Sequence, residues 1–445
     1  MKTVIKRLVF YIQIQLESPL NVASGEDEWT DADILLDFDG NPFVPGSSLA
    51  GAMRSYIGEK DNEWELFGFS KDDIEGKMSP LLISDLVFDQ EPVIGVRDGV
   101  GLNEKKVVKD GCKFDMEILE TGLKGHFYLE LVVREGDLEE EMKKQLAIVF
   151  QGIQQGEIRL GRKKTRGFGA FKITRLSVRS YGKDNYLKYA DAYKASTWEK
   201  ASNELENWLH TDSDSRRMIH IEVPLVMKGG ISIRQYAAKK NEPDFVHITS
   251  NGVPVISGSS FAGAIRHRVE QILGELEAGG TKLPVKKKEI LQIMFGYVEE
   301  TGARQSVNAG SGHASNVVIS EARILDARPL TMVRTGISRF ESAVHDGALY
   351  KEKTYVDGHF TLKIAVQKGK QPVDAKWMTG ILLLAVNDLR NGYLAVGGQT
   401  AVGRGVFAPD TSEEYPKGVI FIDGKPRLEN QFIAEAFNCL CAHKR

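Results

Sequence analysis

Two short runs, each written twice, carry the residues of this chain best suited to act on a phosphate. Gly46-Ser47-Ser48-Leu49-Ala50-Gly51-Ala52-Met53-Arg54 returns as Gly258-Ser259-Ser260-Phe261-Ala262-Gly263-Ala264-Ile265-Arg266. Small residues at a helix start let a backbone approach closely, and free amides there attract an anion. Ser47 or Ser48, like Ser259 or Ser260, can cap such a helix, and Arg54 and Arg266 follow one to two turns in. The plainer reading is a helix packed through Ala50, Gly51 and Ala52; the arginine and the duplication favour an anion. The second run, Gly161-Arg162-Lys163-Lys164-Thr165-Arg166-Gly167-Phe168-Gly169, returns as Gly397-Gly398-Gln399-Thr400-Ala401-Val402-Gly403-Arg404-Gly405. A turn bearing Arg162, Lys163, Lys164 and Arg166 can wrap a phosphodiester, and its less basic copy keeps Arg404. Neither run has the Walker Gly-Lys-Ser/Thr order, which argues against a nucleotide triphosphatase.

Carboxylates precede both Gly-Ser-Ser runs. Asp31-Ala32-Asp33-Ile34-Leu35-Leu36-Asp37 lies before the first, with Glu26, Asp27 and Glu28 nearby. Asn241-Glu242-Pro243-Asp244-Phe245-Val246-His247 lies before the second. A carboxylate beside a phosphate can act as a base or hold a divalent metal. The plainer reading is a solvated acidic loop. The histidines form no triad: His126 and His359 fall in equivalent strand-like segments and are read as packing, and His345 adjoins Asp346.

The repeat extends between the two runs. Val96-Arg97-Asp98-Gly99 matches Val333-Arg334-Thr335-Gly336, Asp110-Gly111 matches Asp346-Gly347, and His126-Phe127-Tyr128-Leu129 matches His359-Phe360-Thr361-Leu362. Asp137 and Asp374 match as N-caps of a following helix. Ordered matches of this kind predict a duplicated domain, with about two dozen residues added to the second copy. The sequence from Leu273 to Gly312 is the expected place for them.

The positioning elements follow from the pattern. The 445 residues suit two domains, each large enough for its own core. The expected division is a first domain over 1–180, a linker over 181–215, a second domain over 216–412 and a tail over 413–445. Val9–Leu16 and Phe127–Val133 alternate as strands, Asp137–Gln155 reads as an amphipathic helix, and the basic turn feeds a strand at Ala170–Ile173. Leu428–Cys441 reads as a helix. Strand, helix and strand in this order predict an α+β fold of two ferredoxin-like (RRM-like) domains. Net charge is -3, which argues against a freely sliding DNA-binding protein but permits one basic face. No apolar run reaches the ~18 residues of a membrane span, so no membrane partner is expected. Strand-like sequence right after Met1 predicts no signal peptide, and Cys112, Cys439 and Cys441 make no disulfide framework, so a reducing cytoplasm is expected. Cys439, Cys441 and His443 fit no standard zinc spacing.

Taken together, Pro45-Gly46-Ser47-Ser48-Leu49-Ala50-Gly51-Ala52-Met53-Arg54 and the closing Gly167-Phe168-Gly169 turn resemble the backbone subunits of type III CRISPR effector complexes, in the repeat-associated (RAMP) superfamily. The resemblance covers both copies and is nearest to the tandem-fused subunits of type III-D complexes. It implies that Arg97 to Asp115, with Lys105 and Lys106 near its tip, is a thumb β-hairpin, and that Arg334 opens the second. It also implies a guide RNA held along both runs and a complementary target RNA read by base pairing, flipped and cut about every six nucleotides. Asp31 falls on the family's catalytic position, as a candidate ligand of a divalent cation, magnesium first; Asp33 is the runner-up. In the second copy either Asn241 takes that place and the site is dead, or Asp244 reaches in from one turn away; Asp244 is preferred. Other type III effector subunits are the implied protein partners. Two other readings stay open: a non-catalytic guide scaffold, and a guide-processing endoribonuclease. The second would need a histidine that the early loop of the first copy lacks.

Overall fold

In β1 (Val4–Leu16), Leu8, Phe10, Ile12, Ile14 and Leu16 are buried at every second position. Such a period gives a sheet with one face turned to a core. The structure, a computed structural model, describes residues 2–23, 25, 30–58, 64–71, 75–102, 108–209, 216–236, 243–298, 312–345, 347–369 and 373–441. After β1 come α1 (Gly46–Ile57), the single-turn α2 (Trp64–Phe67), β2 (Leu81–Ile83), the paired strands β3 (Ile94–Leu102) and β4 (Val108–Leu119), β5 (Lys124–Arg134), α3 (Glu139–Gln154), β6 (Phe171–Gly182) and α4 (Leu205–Leu209). The sheet runs β6-β1-β5 with β2 outside β5, every pair antiparallel. Leu49, Met53 and Ile57 of α1 and Leu146, Phe150 and Ile153 of α3 close its core. β3 and β4 stand apart as a two-stranded ladder, with Asp98 opposite Asp115 and Gly99 opposite Phe114.

The stretch expected to link the domains is packed onto the first sheet. Ala192 and Trp198 are buried with Val9 and Tyr181 on the other face of β1. Trp208 of α4 meets Phe10 edge-on at 5.0 Å. Glu130 is buried beneath this segment and accepts from Arg7, Tyr189 and Tyr193. The chain accordingly divides into Met1–Lys164 with Phe168–Arg217, and Thr165–Gly167 with Met218–Arg445.

The second unit adds β7 (Met218–Lys228), β8 (Arg234–Tyr236), β9 (Phe245–His247), α5 (Gly258–Ala278), α6 (Lys287–Phe295), β10 (Val317–Ile319), β11 (Arg328–Arg334), β12 (Tyr350–Val356), β13 (His359–Gln367), α7 (Ala375–Arg390), β14 (Val406–Pro409), β15 (Ile420–Ile422) and α8 (Glu429–Cys441). Its main sheet runs β10-β13-β7, with β14 and β15 both along the far edge of β7. β12 pairs with β11 antiparallel and with β9 parallel. Phe432 and Ala436 of the tail helix α8 are buried in the core of this unit.

Local bonds repeat between the units where the sequence match is faint. Ser79 Oγ donates to the carbonyls of Leu66 and Leu81, and Ser315 Oγ to those of Met294 and Val317. The added residues of the second copy fall partly in longer helices, α5 having 21 residues against 12 in α1. Removing the Ser315 hydroxyl takes away the one proton that the Met294 and Val317 carbonyls share and the acceptor of Val317 N–H, so Ser315→Ala is expected to destabilise the second unit by about 1–2 kcal/mol. Calorimetry of the full chain checks this; an unshifted transition would contradict it.

Two expected caps hold differently. Asp374 caps α7, accepting from Lys376 N–H at 2.7 Å. Asp137 does not cap α3, whose N-cap is Leu138; its carboxylate accepts from Arg134 N–H at 2.8 Å, one turn too early.

Candidate nucleic-acid interface

The Gly-Ser-Ser runs do open helices, but their serines are not the caps. Pro45 precedes α1, and Gly46 N–H donates to Asp85 Oδ1 at 2.7 Å. Ser257 caps α5 through Ser260 N–H. Gly46 and Gly258 are needed for close approach, since a Cβ there would overlap the carbonyls of Ile83 and Ile319. Gly51 and Gly263 instead face open space, with nothing within 4 Å of a Cβ. Ser47, Ser48, Ser259 and Arg266 are exposed, and Arg54 and Ser260 are half-buried. The helices pack through Leu49, Met53 and Ile57, or Phe261, Ile265 and Val269, with Ala52, Ala262 and Ala264 against the cores, so the open faces are Ser47, Ser48 and Gly51 on α1 and Ser259 and Gly263 on α5.

The glycine-rich turns share one backbone. Lys163 and Gln399 both sit in the left-handed region, with φ 53° and 59°. Leu160 N–H bonds Gly169 O at 3.0 Å, and Val396 N–H bonds Gly405 O at 2.9 Å. A Cβ on Gly169 or Gly405 would overlap the carbonyl it faces. In the first turn Arg162, Lys164 and Arg166 are exposed, and Lys163 Nζ lies 3.6 Å from the centroid of the Phe114 ring.

The two candidate aspartates occupy matching places. Asp31 is exposed; its Oδ2 accepts from Asp115 N–H at 2.9 Å, while Asp31 N–H donates back to Asp115 Oδ1 at 3.1 Å. Asp244 is exposed and its Oδ2 accepts from Lys351 N–H at 2.7 Å. Asp115 follows Phe114 in β4 as Lys351 follows Tyr350 in β12. Asp33 is buried, and its Oδ1 accepts from Thr30 N–H and Thr30 Oγ, both at 2.8 Å, which makes it a turn-former. Glu26, Asp27, Glu28, Lys105, Lys106, Asn241, Asp346 and His443 lie outside the described residues. His126 and His359 are half-exposed and pair with Asp89 at 2.6 Å and Asp326 at 3.5 Å.

Of the arginines expected to meet RNA, Arg404 in its turn and Arg97 and Arg334 in β3 and β11 are wholly or partly buried. Arg97 is buried. Arg404 is buried, 3.4 Å from the Glu352 carboxylate. Arg334 is half-buried, 3.6 Å from the same group, and Arg234 is exposed, 3.2 Å from it. Glu352 itself is fully buried and also accepts from Ser232 and Gln399. Burial alone would raise its carboxyl, but the Ser232 hydroxyl and then Arg404 and Arg234 hold it below the ordinary range. Burial lowers the Arg404 guanidinium, with Glu352 opposing and Arg334 and Arg234 adding to the fall. Arg234 also lies over Phe245, 4.7 Å from its centroid.

Asp115, Arg234, Phe245, Tyr350 and Glu352 are the site residues the motifs do not single out. A signal exists for Glu352: carried past the Asp-Gly match, the repeat sets it against Met116, a charge against a thioether.

Oxygen donors here suit a hard cation. Among the described residues no three His, Cys, Asp or Glu converge on one point. Magnesium commonly takes one or two carboxylates, with waters and substrate phosphates completing its shell. Asp31 with Asp115 beside it fits that pattern, whereas Asp244 has Lys351 in the matching position.

The RAMP superfamily model matches residues 13–172 and 219–408. The chain belongs to this superfamily, as a tandem fusion of two of its domains. Members typically belong to CRISPR complexes that bind RNA. No curated protein matches the sequence. Among the described residues no helix is long and apolar enough to cross a membrane.

Proposed function

We propose that the chain is a backbone subunit of a type III, III-D-like CRISPR effector in the cytoplasm, assembled with other type III subunits, and that it holds guide RNA and cuts complementary target RNA. Each unit is taken as a ferredoxin-like domain, with β3–β4 and β11–β12 as its thumb. The matching strand orders β6-β1-β5-β2 and β14-β7-β13-β10 within the two main sheets support this. Guide phosphates would run along the open faces of α1 and α5 and the glycine-rich turns.

The observation that carries the cutting is the shared bond of Asp31 and Asp244 to the main chain of the returning thumb strand. A nucleotide splayed by the thumb would bring its 2′-hydroxyl in line with the adjacent phosphate. The aspartate accepts the 2′-hydroxyl proton, the O2′–P bond forms, and the P–O5′ bond breaks. The leaving oxygen takes a proton from water, giving a 2′,3′-cyclic phosphate and a 5′-hydroxyl. A divalent cation, magnesium first, held by Asp31 would supply charge neutralisation at that phosphate.

The test is reconstitution with guide and end-labelled target, then mapping of the cuts. Asp244→Ala is expected to remove one cut and spare another about six nucleotides away, the spacing set by one splayed nucleotide per domain along a guide–target duplex. Two cuts that survive Asp244→Ala would leave the second unit as guide scaffold.

A further inference from the structure

At two matched positions the second unit buries charge where the first buries hydrocarbon, although Arg97, opposite Met116, is buried in the first unit as well. In the first unit Ala32, Met116, Ile118 and Phe168 form a small closed apolar cluster. Asp115 and Lys351 make the matching bonds to the aspartates, so Met116, the next residue, corresponds to Glu352. Gly167-Phe168-Gly169 corresponds to Gly403-Arg404-Gly405, so Phe168 corresponds to Arg404. One backbone plan thus accepts an apolar pair at the position where the second unit spends a buried ion pair. Buried ion networks are often no more stabilising than well-packed hydrocarbon of similar volume. Stability alone is thus weak ground for Glu352 and Arg404.

The network also does not neutralise itself. Three guanidinium groups share one carboxylate, at 3.2, 3.6 and 3.4 Å. The side chains of Arg234 and Arg334 remain 34% and 32% exposed, while that of Arg404 is 7% exposed. Arg404 Nη1 is buried without a hydrogen-bond acceptor among the described residues. Beside the exposed arginines stand two aromatic rings, Phe245 and Tyr350, edge to face with centroids 5.9 Å apart. Asp244 adjoins Phe245, and Lys351 adjoins Tyr350. Unbalanced arginines beside half-open aromatic rings are the chemistry that takes a single-stranded nucleotide, phosphate on the guanidinium groups and base on the ring.

We infer that this cluster is a nucleotide-binding site of the second unit: Arg234 and Arg334 take an RNA phosphodiester, Glu352 and Arg404 hold them in position, and Phe245 and Tyr350 receive the adjoining base. The inference rests on the reading that RNA passes beside Asp244, and it does not depend on cutting.

The test uses the full chain and a fluorescein-labelled single-stranded RNA of mixed sequence, with anisotropy read across a salt series. Glu352→Met with Arg404→Phe installs the first unit's pair. It is expected to melt no lower than the wild type while RNA affinity falls about tenfold, and the log–log salt slope loses about 1.4, the share of two single-strand phosphate contacts. Arg234→Gln with Arg334→Gln leaves the buried pair in place and should give the same loss, so a failure of the first variant to fold does not remove the test. Wild-type RNA binding that neither variant weakens overturns the site. Loss of inorganic phosphate binding with RNA affinity intact overturns its assignment to RNA. A wild-type chain that binds no RNA overturns the reading on which the site rests.

Discussion

Replacing Asp31 with alanine is expected to abolish one target cut while target binding persists. The side chain is exposed, and the bond it loses is to Asp115 N–H at the surface, where water can replace it. The folding cost should stay near 1 kcal/mol, the net worth of one such bond. A positioned base contributes about 10²- to 10⁴-fold to a rate, so the cut fed by the first unit should fall by at least the lower figure. Asp31→Asn separates the two roles, since its amide oxygen still accepts from Asp115 N–H but takes up no proton. It should keep wild-type stability and lose the cut as fully as alanine does. Asp33→Ala should behave the other way: removal of a buried carboxylate that ties Thr30 loosens the loop and costs stability before it costs chemistry. If Asp31→Ala leaves every cut intact, Asp33 is the residue or the chain is a scaffold. The Asp31 and Asp33 double replacement then decides, because no loss of any cut leaves the scaffold alone.

The second large effect is expected from the basic turn. Arg162 and Arg166 are exposed, and Lys163 is held over Phe114, so three cations are fixed on one backbone of defined shape. Phosphate contacts carry no sequence information and release counterions. Changing Arg162, Lys163 and Arg166 together to alanine should therefore weaken assembly on every guide alike, by about tenfold or more. The log–log salt slope should drop by about 2, the share of three single-strand contacts. Unchanged assembly and an unchanged slope would rule the contact out. The copied turn should respond less, because Arg404, its one cation, is spent on Glu352.

Much of this layout is legible in the chain because backbone constraint leaves marks. Gly169 and Gly405 are required by a carbonyl that no Cβ can share space with, and Gly46 and Gly258 by another, so the glycines recur where neighbouring residues have drifted. The caps were harder to read. A serine in the first turn and a serine just before it look alike in sequence. In α1 the difference comes from Asp85, whose carboxylate reaches Gly46 N–H from the connection that follows β2. The burial of Arg404 was invisible for a similar reason: an arginine between two glycines reads as exposed until Glu352 is brought beneath it. The packed stretch after β6 had a fainter sign. β1 carries Val9 and Tyr11 on the face opposite its core residues, and a strand apolar on both faces needs a second cover, which Trp198 supplies. The correspondence of Asp244 with Asp31 needed the structure, since it rests on a main-chain bond to β12 and not on aligned letters.

The measurement closest to the central claim is a cleavage map from the reconstituted complex, with guide, magnesium and end-labelled target, for the wild type and for the Asp31→Ala, Asp244→Ala double replacement. Two cuts about six nucleotides apart are expected from the wild type, in step with one splayed nucleotide per domain. The double replacement should yield none while still binding the target. Cuts that persist in the double replacement, at the same positions and the same rate, would contradict the account.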